Sequence, residues 1–284
     1  MPGDCLEQFT AYRFPLMRAL ALLLLLAAAA MVRAHPEVEA ALSRVNALIA
    51  ALPEEPQFYL DRGDIYAQHQ AWVPAEANYL RAAELSRGAS SLRLDRARAA
   101  VEVATGRPAD ARAKLDRVLK NNPRDAEALL LRARALAALN ANEPALADIN
   151  LALTLVATPT PELYLERAAL IAAPADAIRS LDEGIARVGP APALQLRALA
   201  LEESSGRIEA ALLRLDRITG ASERKESWLK RRGDLLARVG LKREAREAYV
   251  AALAAIAALP SWLRESPDLA HLATELNRLN APSP

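Results

Sequence analysis

Apolar residues recur along this chain at positions i, i+4 and i+7. Ala75, Tyr79 and Ala82 form one set; Ala111, Leu115 and Val118, then Ala145, Ile149 and Ala152, then Ala245, Tyr249 and Ala252 repeat it. That spacing is one face of an α-helix. Thirteen residues ahead of each first alanine stands an arginine joined to a glycine or alanine: Arg62-Gly63, Arg98-Ala99, Arg132-Ala133 and Arg232-Gly233. Two more pairs, Arg167-Ala168 and Arg197-Ala198, precede Ala177/Leu181/Gly184 by ten residues and Ala211/Leu215/Ile218 by fourteen. The six pairs lie 36, 34, 35, 30 and 35 residues apart. A period of this size predicts stacked supersecondary units. Each unit holds two helices, A carrying the Arg-small pair and B carrying the triplet.

The punctuation agrees with this division. Pro74, Pro108, Pro144 and Pro174 fall just before the B triplets, where a first helical turn tolerates proline because its N–H has no intrahelical partner. Gly106, Gly206 and Gly240 stand between A and B, where a helix end favours positive φ. Pro123, Pro159 and Pro190 separate units. The fourth unit is three residues short between its helices, which predicts a shorter A–B turn. Outside the array, Val38, Leu42, Val45, Leu48 and Ile49 form a stripe before Pro53, and Leu269, Leu272, Leu276 and Leu279 form another after Ser266-Pro267. Both read as capping helices, since an end unit would otherwise show an apolar face to water.

Residue by residue, the unit resembles the tetratricopeptide repeat. Tyr59, Gly63, Tyr66, Ala75, Tyr79 and Ala82 fit that pattern in unit one, Leu129, Ala133, Leu136, Ala145, Ile149 and Ala152 in unit three, and Leu229, Gly233, Leu236, Gly240, Ala245, Tyr249 and Ala252 in unit six. Unit two departs from it, with Asp95 at the first large position. The resemblance implies an all-α, right-handed α-solenoid of about six hairpins. The expected organisation is a signal segment over 1–34, an N-terminal cap over 35–55, the array over 56–258, and a C-terminal cap and tail over 259–284. It also implies a non-catalytic scaffold that holds a protein or peptide on the groove formed by the A helices.

Composition narrows the chemistry. Hydrophobic residues make up 52% of the 284 and aromatics only 4%, so alanine and leucine must build a closely packed helical core. Lys plus Arg is 36 against 35 for Asp plus Glu, which leaves no electrostatic footprint for nucleic acid or an anionic membrane. Arg18 precedes a fourteen-residue apolar run, Ala19 to Val32, ending in Val32-Arg33-Ala34. That run reads as a secretory signal cleaved after Ala34, being short of the ~20 residues of a membrane span. Retention as an anchor is the alternative. Asp4 and Glu7 are out of place in a basic leader, so Met17 is an alternative start. Cleavage would remove Cys5, the only cysteine, leaving no thiol for a disulfide, metal site or nucleophile. The expectation is an exported, periplasmic or secreted protein that meets the membrane only through its signal; the sequence leaves the oligomeric state open.

Candidate binding residues follow from the resemblance. Helix A positions on the groove include Asp64, Arg96, Arg134, Gln195, Lys230, Asp234 and Arg238, with Leu60, Leu130, Leu165, Ala169 and Glu202 among them. Some members of the family clamp chaperone C-terminal carboxylates with Lys and Asn, but Leu60 and Asp64 in unit one, and Lys230 and Asp234 in unit six, do not form that clamp. The arginines Arg62, Arg98, Arg132, Arg167, Arg197 and Arg232 read as a structural ladder, each laying its stem on the core and its fork on a carboxylate such as Asp116, Asp148, Asp182 or Asp216. A row of guanidinium groups binding an anionic ligand is the competing reading. The three histidines, His35, His69 and His271, show no ligand spacing. His35 alone would become a mature N-terminus, whose amine and imidazole could hold copper. No cofactor is expected. Trp72, Trp228 and Trp262 are far apart and read as packing residues.

Overall fold

The computed structural model describes residues 36–87 and 91–281. The proposed signal segment, Cys5, Met17 and His35 lie outside them. The described chain is helical throughout, and no helix in it is long and apolar enough to cross a membrane. It divides into two compact units between Val156 and Ala157, a boundary inside the expected array.

The first unit contains α1 (Pro36–Ala51), α2 (Pro56–Gln68), α3 (Trp72–Leu85), α4 (Leu92–Ala104), α5 (Pro108–Asn121), α6 (Ala126–Ala138) and α7 (Asn142–Leu155). Three hairpins, α2/α3, α4/α5 and α6/α7, pack in series, each A helix against its own B helix and the B helix before it. Successive A helices also touch, so α2, α4 and α6 share one face. The second unit contains α8 (Pro161–Leu170), α9 (Pro174–Val188), α10 (Pro192–Ser204), α11 (Ile208–Ala221), α12 (Glu226–Arg238), α13 (Lys242–Ala257), α14 (Ser261–Arg264) and α15 (Pro267–Asn280). Its hairpins are α8/α9, α10/α11 and α12/α13.

The B triplets build the cores. Ala75, Tyr79 and Ala82 are buried with Leu60, Leu94 and Val101, and Ala111, Leu115 and Val118 with Leu129 and Ala135. In the second unit Ala245, Tyr249 and Ala252 are buried with Leu236, Ile256, Leu269 and Leu276. The small residue of each Arg-small pair admits the B helix. A Cβ on Gly63 would overlap the Tyr79 ring, and one on Gly233 would overlap the Tyr249 ring. The fourth hairpin reverses this exchange: its tyrosine, Tyr164, is on helix A, and its glycine, Gly184, is on helix B.

Five A–B turns pass through positive φ. Gly106, Gly206 and Gly240 supply it at three, and Gln70 (57°) and Asn140 (59°) accept it at the equivalent places in hairpins one and three. The fourth hairpin differs from expectation. Its turn, Ile171 to Ala173, is as long as the others, and the missing residues come out of helix A, which has 10 residues where the other A helices have 13. One lost turn keeps the B helix facing the same side, because three residues are close to one helical turn.

Helices α1 and α15 close the ends. Val38 of α1 is buried with Ala71 against Ile65 and Tyr66, and α15 packs on α13 through Leu269 and Leu276. One tryptophan departs from the packing role read in the sequence. Trp262, on α14, is 74% exposed. It follows Pro260 on a helix of four residues, whose inward position is taken by Leu263.

Candidate binding surfaces

In five of the six hairpins the polar groups between the helices follow a rule set by the seventh residue of the B helix. In hairpins one, three and four that residue is Asn78, Asp148 or Ser180, and the A-helix arginine bonds to it. Arg62 Nε donates to Asn78 Oδ1 at 2.7 Å, Arg132 meets Asp148 through Nε at 2.7 Å and Nη2 at 2.8 Å, and Arg167 Nε donates to Ser180 Oγ at 2.7 Å. Arg167 also reaches Glu183 and stacks on Tyr164. Arg132 and Arg232 take a second kind of partner, the ninth residue of the preceding B helix: Asp116 at 2.9 Å and Asp216 at 3.0 Å.

Hairpins two and five invert the arrangement. Their seventh B residues are Lys114 and Arg214, cations where the A arginine needs an acceptor. Arg98 and Arg197 accordingly have no ion-pair partner among the described residues, contrary to the six-rung ladder. The carboxylate has moved to helix A. Lys114 Nζ meets Glu102 at 2.6 Å, and Arg214 meets Glu202 at 2.8 Å and 2.9 Å. Both side chains of the Arg214–Glu202 pair are under 5% exposed, so Glu202 is a core residue and does not line a groove, as the sequence suggested. Leu60 is likewise buried. Asp95, the misfit of unit two, is buried and paired bidentately with Arg117 at 3.0 and 3.2 Å.

The expected groove residues divide between the units. In the first, Asp64 and Arg96 lie together. A cleft of about 230 Å³ opens on the A face, lined by Asp64, Arg93, Arg96 and Glu127, with Ala67, Ala97 and Ala100 also along it. Arg93 bridges Asp61 at 2.8 Å and Asp64 at 2.5 Å, while Arg96 bridges Asp125 at 2.8 Å and Glu127 at 3.2 Å. Asp64 also accepts the Tyr79 hydroxyl at 2.8 Å. Burial, then that bond to Asp64, raises the Tyr79 phenol far above its ordinary value. Arg134, exposed on α6, is engaged and not a free cation.

In the second unit Lys230 and Asp234 are tied into the cap. Lys230 pairs with Asp234 at 2.8 Å and with Glu275 of α15 at 3.1 Å. Burial lowers the Lys230 ammonium, and the two carboxylates outweigh it, leaving it raised. Asp234 accepts the Tyr249 hydroxyl at 3.0 Å. Burial, with Asp234 and Glu275 nearby, pushes that phenol up to about 12. Arg238 is exposed, 3.8 Å from Glu203. Gln195 accepts from Arg214 at 3.1 Å and lines a separate cleft with Arg217 and Trp228, which sequence reasoning missed. The one signal for that cleft was a tryptophan outside both repeat faces. Among the described residues no group of three or more His, Cys, Asp or Glu could hold a metal.

Residues 92–135, from α4 into α6, match the family model of the tetratricopeptide repeat. These are tetratricopeptide repeats. Hairpin two, with its aberrant Asp95, thus lies inside the matched segment. The fold is similar to that of a tetratricopeptide repeat protein from Parabacteroides merdae, at 17% identity and a TM-score of 0.52 over 86% of this chain and 92% of that one. It is similar to pilF of Pseudomonas aeruginosa, at 17% identity and a TM-score of 0.50 over 80% and 98%. It also resembles the structure of Naa15/Naa10 bound to HypK-THB, at 14% identity and a TM-score of 0.52 over 87% of this chain and 40% of that one. No curated protein matches the sequence.

Proposed function

We propose that this protein is an exported, non-catalytic scaffold that holds a protein or peptide segment on the A-helix face of its first unit, within a cell-envelope assembly. The observation that carries the reading is the cleft across α2, α4 and α6. Small side chains along it, Ala67, Ala97 and Ala100, let a backbone approach, and charged groups of both signs rim it. Arg93 and Arg96 are only partly buried, at 42% and 32% side-chain exposure, so the exposed pairs of Arg93 with Asp61 and of Arg96 with Glu127 exchange readily for a ligand's carboxylates. Such surface pairs are worth ~0–1 kcal/mol. A peptide carrying both signs of charge fits this rim better than a purely anionic one. The structure of Naa15/Naa10 is one bound to HypK-THB, which favours a protein as the class of partner.

Export rests on the apolar run and on Val32-Arg33-Ala34. Intact mass of the protein recovered from the envelope fraction checks it: the expected chain begins at His35, and a chain beginning at Met1 or Met17 overturns it. The binding face is checked by affinity capture. A specific partner should be recovered with the wild-type chain and lost with Arg93→Glu/Arg96→Glu. Retention by that variant would move the site off the A-helix face of the first unit.

A further inference from the structure

We propose that the second unit carries a socket for a second copy of this chain, and that the segment filling it is the other copy's Trp262 with its Glu265. The socket is a cleft of about 410 Å³ beside the start of α10, walled by Pro190, Pro192, Leu196 and the half-buried indole of Trp228. Its size is at the low end of the ~300–1,000 Å³ of ligand clefts and is room for one bulky side chain. The two prolines have restricted φ, so the wall is pre-shaped. Ser222, also on the wall, spends its hydroxyl proton on the Ile218 carbonyl at 2.7 Å, and the two larger polar side chains offer donors. Arg217 is exposed and has no ion-pair partner among the described residues. Gln195 spends its carbonyl oxygen on Arg214, which leaves its NH2 group to donate. What fits is a large apolar side chain with a carboxylate close behind it.

The chain itself displays such a segment. Trp262 is the most exposed large apolar side chain among the described residues. Pro260 and the inward Leu263 hold it outward on α14, and Glu265, three residues on, is exposed and without an ion pair among the described residues. Among the described residues nothing covers this indole, and the carboxylate behind it complements the exposed Arg217 of the cleft, so the occupant is a second copy. Tryptophan and arginine are the residue types that dominate interface energetics, and here one of each stands unpartnered on different patches. Plug and socket being different patches, each contact leaves one of each unused. Association therefore either closes by reciprocal exchange in a pair or runs on to larger species.

Sedimentation equilibrium of the purified full chain over a wide concentration range tests this. The expected result is a mass above that of one chain, with Trp262→Ala weakening association by about tenfold or more. Trp262 is exposed, so this variant folds. Arg217→Glu and Glu265→Arg should each weaken association, and the double reversal should restore it. A single-chain mass at every concentration overturns the proposal. So does association that Trp262→Ala leaves unchanged, or a double reversal no stronger than the single ones.

Discussion

Among single residues, the glycines of the Arg-small pairs have the narrowest tolerance. Gly63→Ala or Gly233→Ala drives a methyl group into a buried tyrosine ring and should destabilise the chain by about 1–3 kcal/mol. Gly220, within α11, has nothing near its missing Cβ, and Gly220→Ala should stabilise by about 0.5 kcal/mol. Urea unfolding of the three variants checks the contrast. Tyr249 gives a pH signature. An unfolded phenol ionises near ~10, whereas burial and Asp234 keep the folded one protonated up to about 12. Across that window the folded chain holds a proton that the unfolded chain has released, so stability falls as pH rises. Tyr249→Phe should flatten that part of the slope in urea midpoints measured from pH 9.5 to 12. These tyrosines were legible beforehand, because the i, i+4, i+7 pattern is itself a record of burial. Trp262 was misread because an isolated aromatic has no pattern to place it.

The helix is the scale at which the arginine ladder has to be understood. Sequence spacing alone gave six equivalent arginines, but the partner is chosen by the seventh residue of helix B. Where Asn78, Asp148 or Ser180 stands, the arginine is paired; where Lys114 or Arg214 stands, the acid appears on helix A instead. The signal was present in the sequence, as Glu102 and Glu202 each lie twelve residues before their cation. It was hidden because a pair crossing between helices leaves no periodicity in either one. Arg214→Ala, stranding Glu202 in the core, should cost about 3–5 kcal/mol, and Arg214→Met/Glu202→Leu should recover most of it. Chemical denaturation of the single and double variants reads the difference. The shortened α8 was likewise misplaced into its turn, since a deletion of about one helical turn is silent in the side-chain pattern.

For the whole molecule, fold class followed directly from the period, while the division between Val156 and Ala157 did not. Nothing in the composition changes there. Each unit has buried clusters of its own. Fragments 36–156 and 157–284 are therefore each expected to be helical by circular dichroism and to unfold cooperatively when expressed alone. A fragment lacking a cooperative transition would show that its cores need the other half. The binding face was the least legible at this scale. Asp64 and Arg96 meet in one cleft, whereas Lys230 and Asp234 are drawn under Glu275 of α15, a contact between segments 45 residues apart (275 − 230) that no local pattern announces.

The crossed pairing of Arg132 with Asp116 also bears on how such a chain can change its length. Excision of residues 91–124 would remove one hairpin and preserve the helical phase of everything after it. The residue sixteen places ahead of Arg132 would then be Ala82 in place of Asp116. Insertion after the fifth hairpin would separate Asp216 from Arg232 in the same way. Hairpins of equal length are alike in shape and not in chemistry. Loss, duplication or shuffling of a hairpin therefore leaves a charge without its partner in the hairpin beside it, at Arg132 or at Arg232.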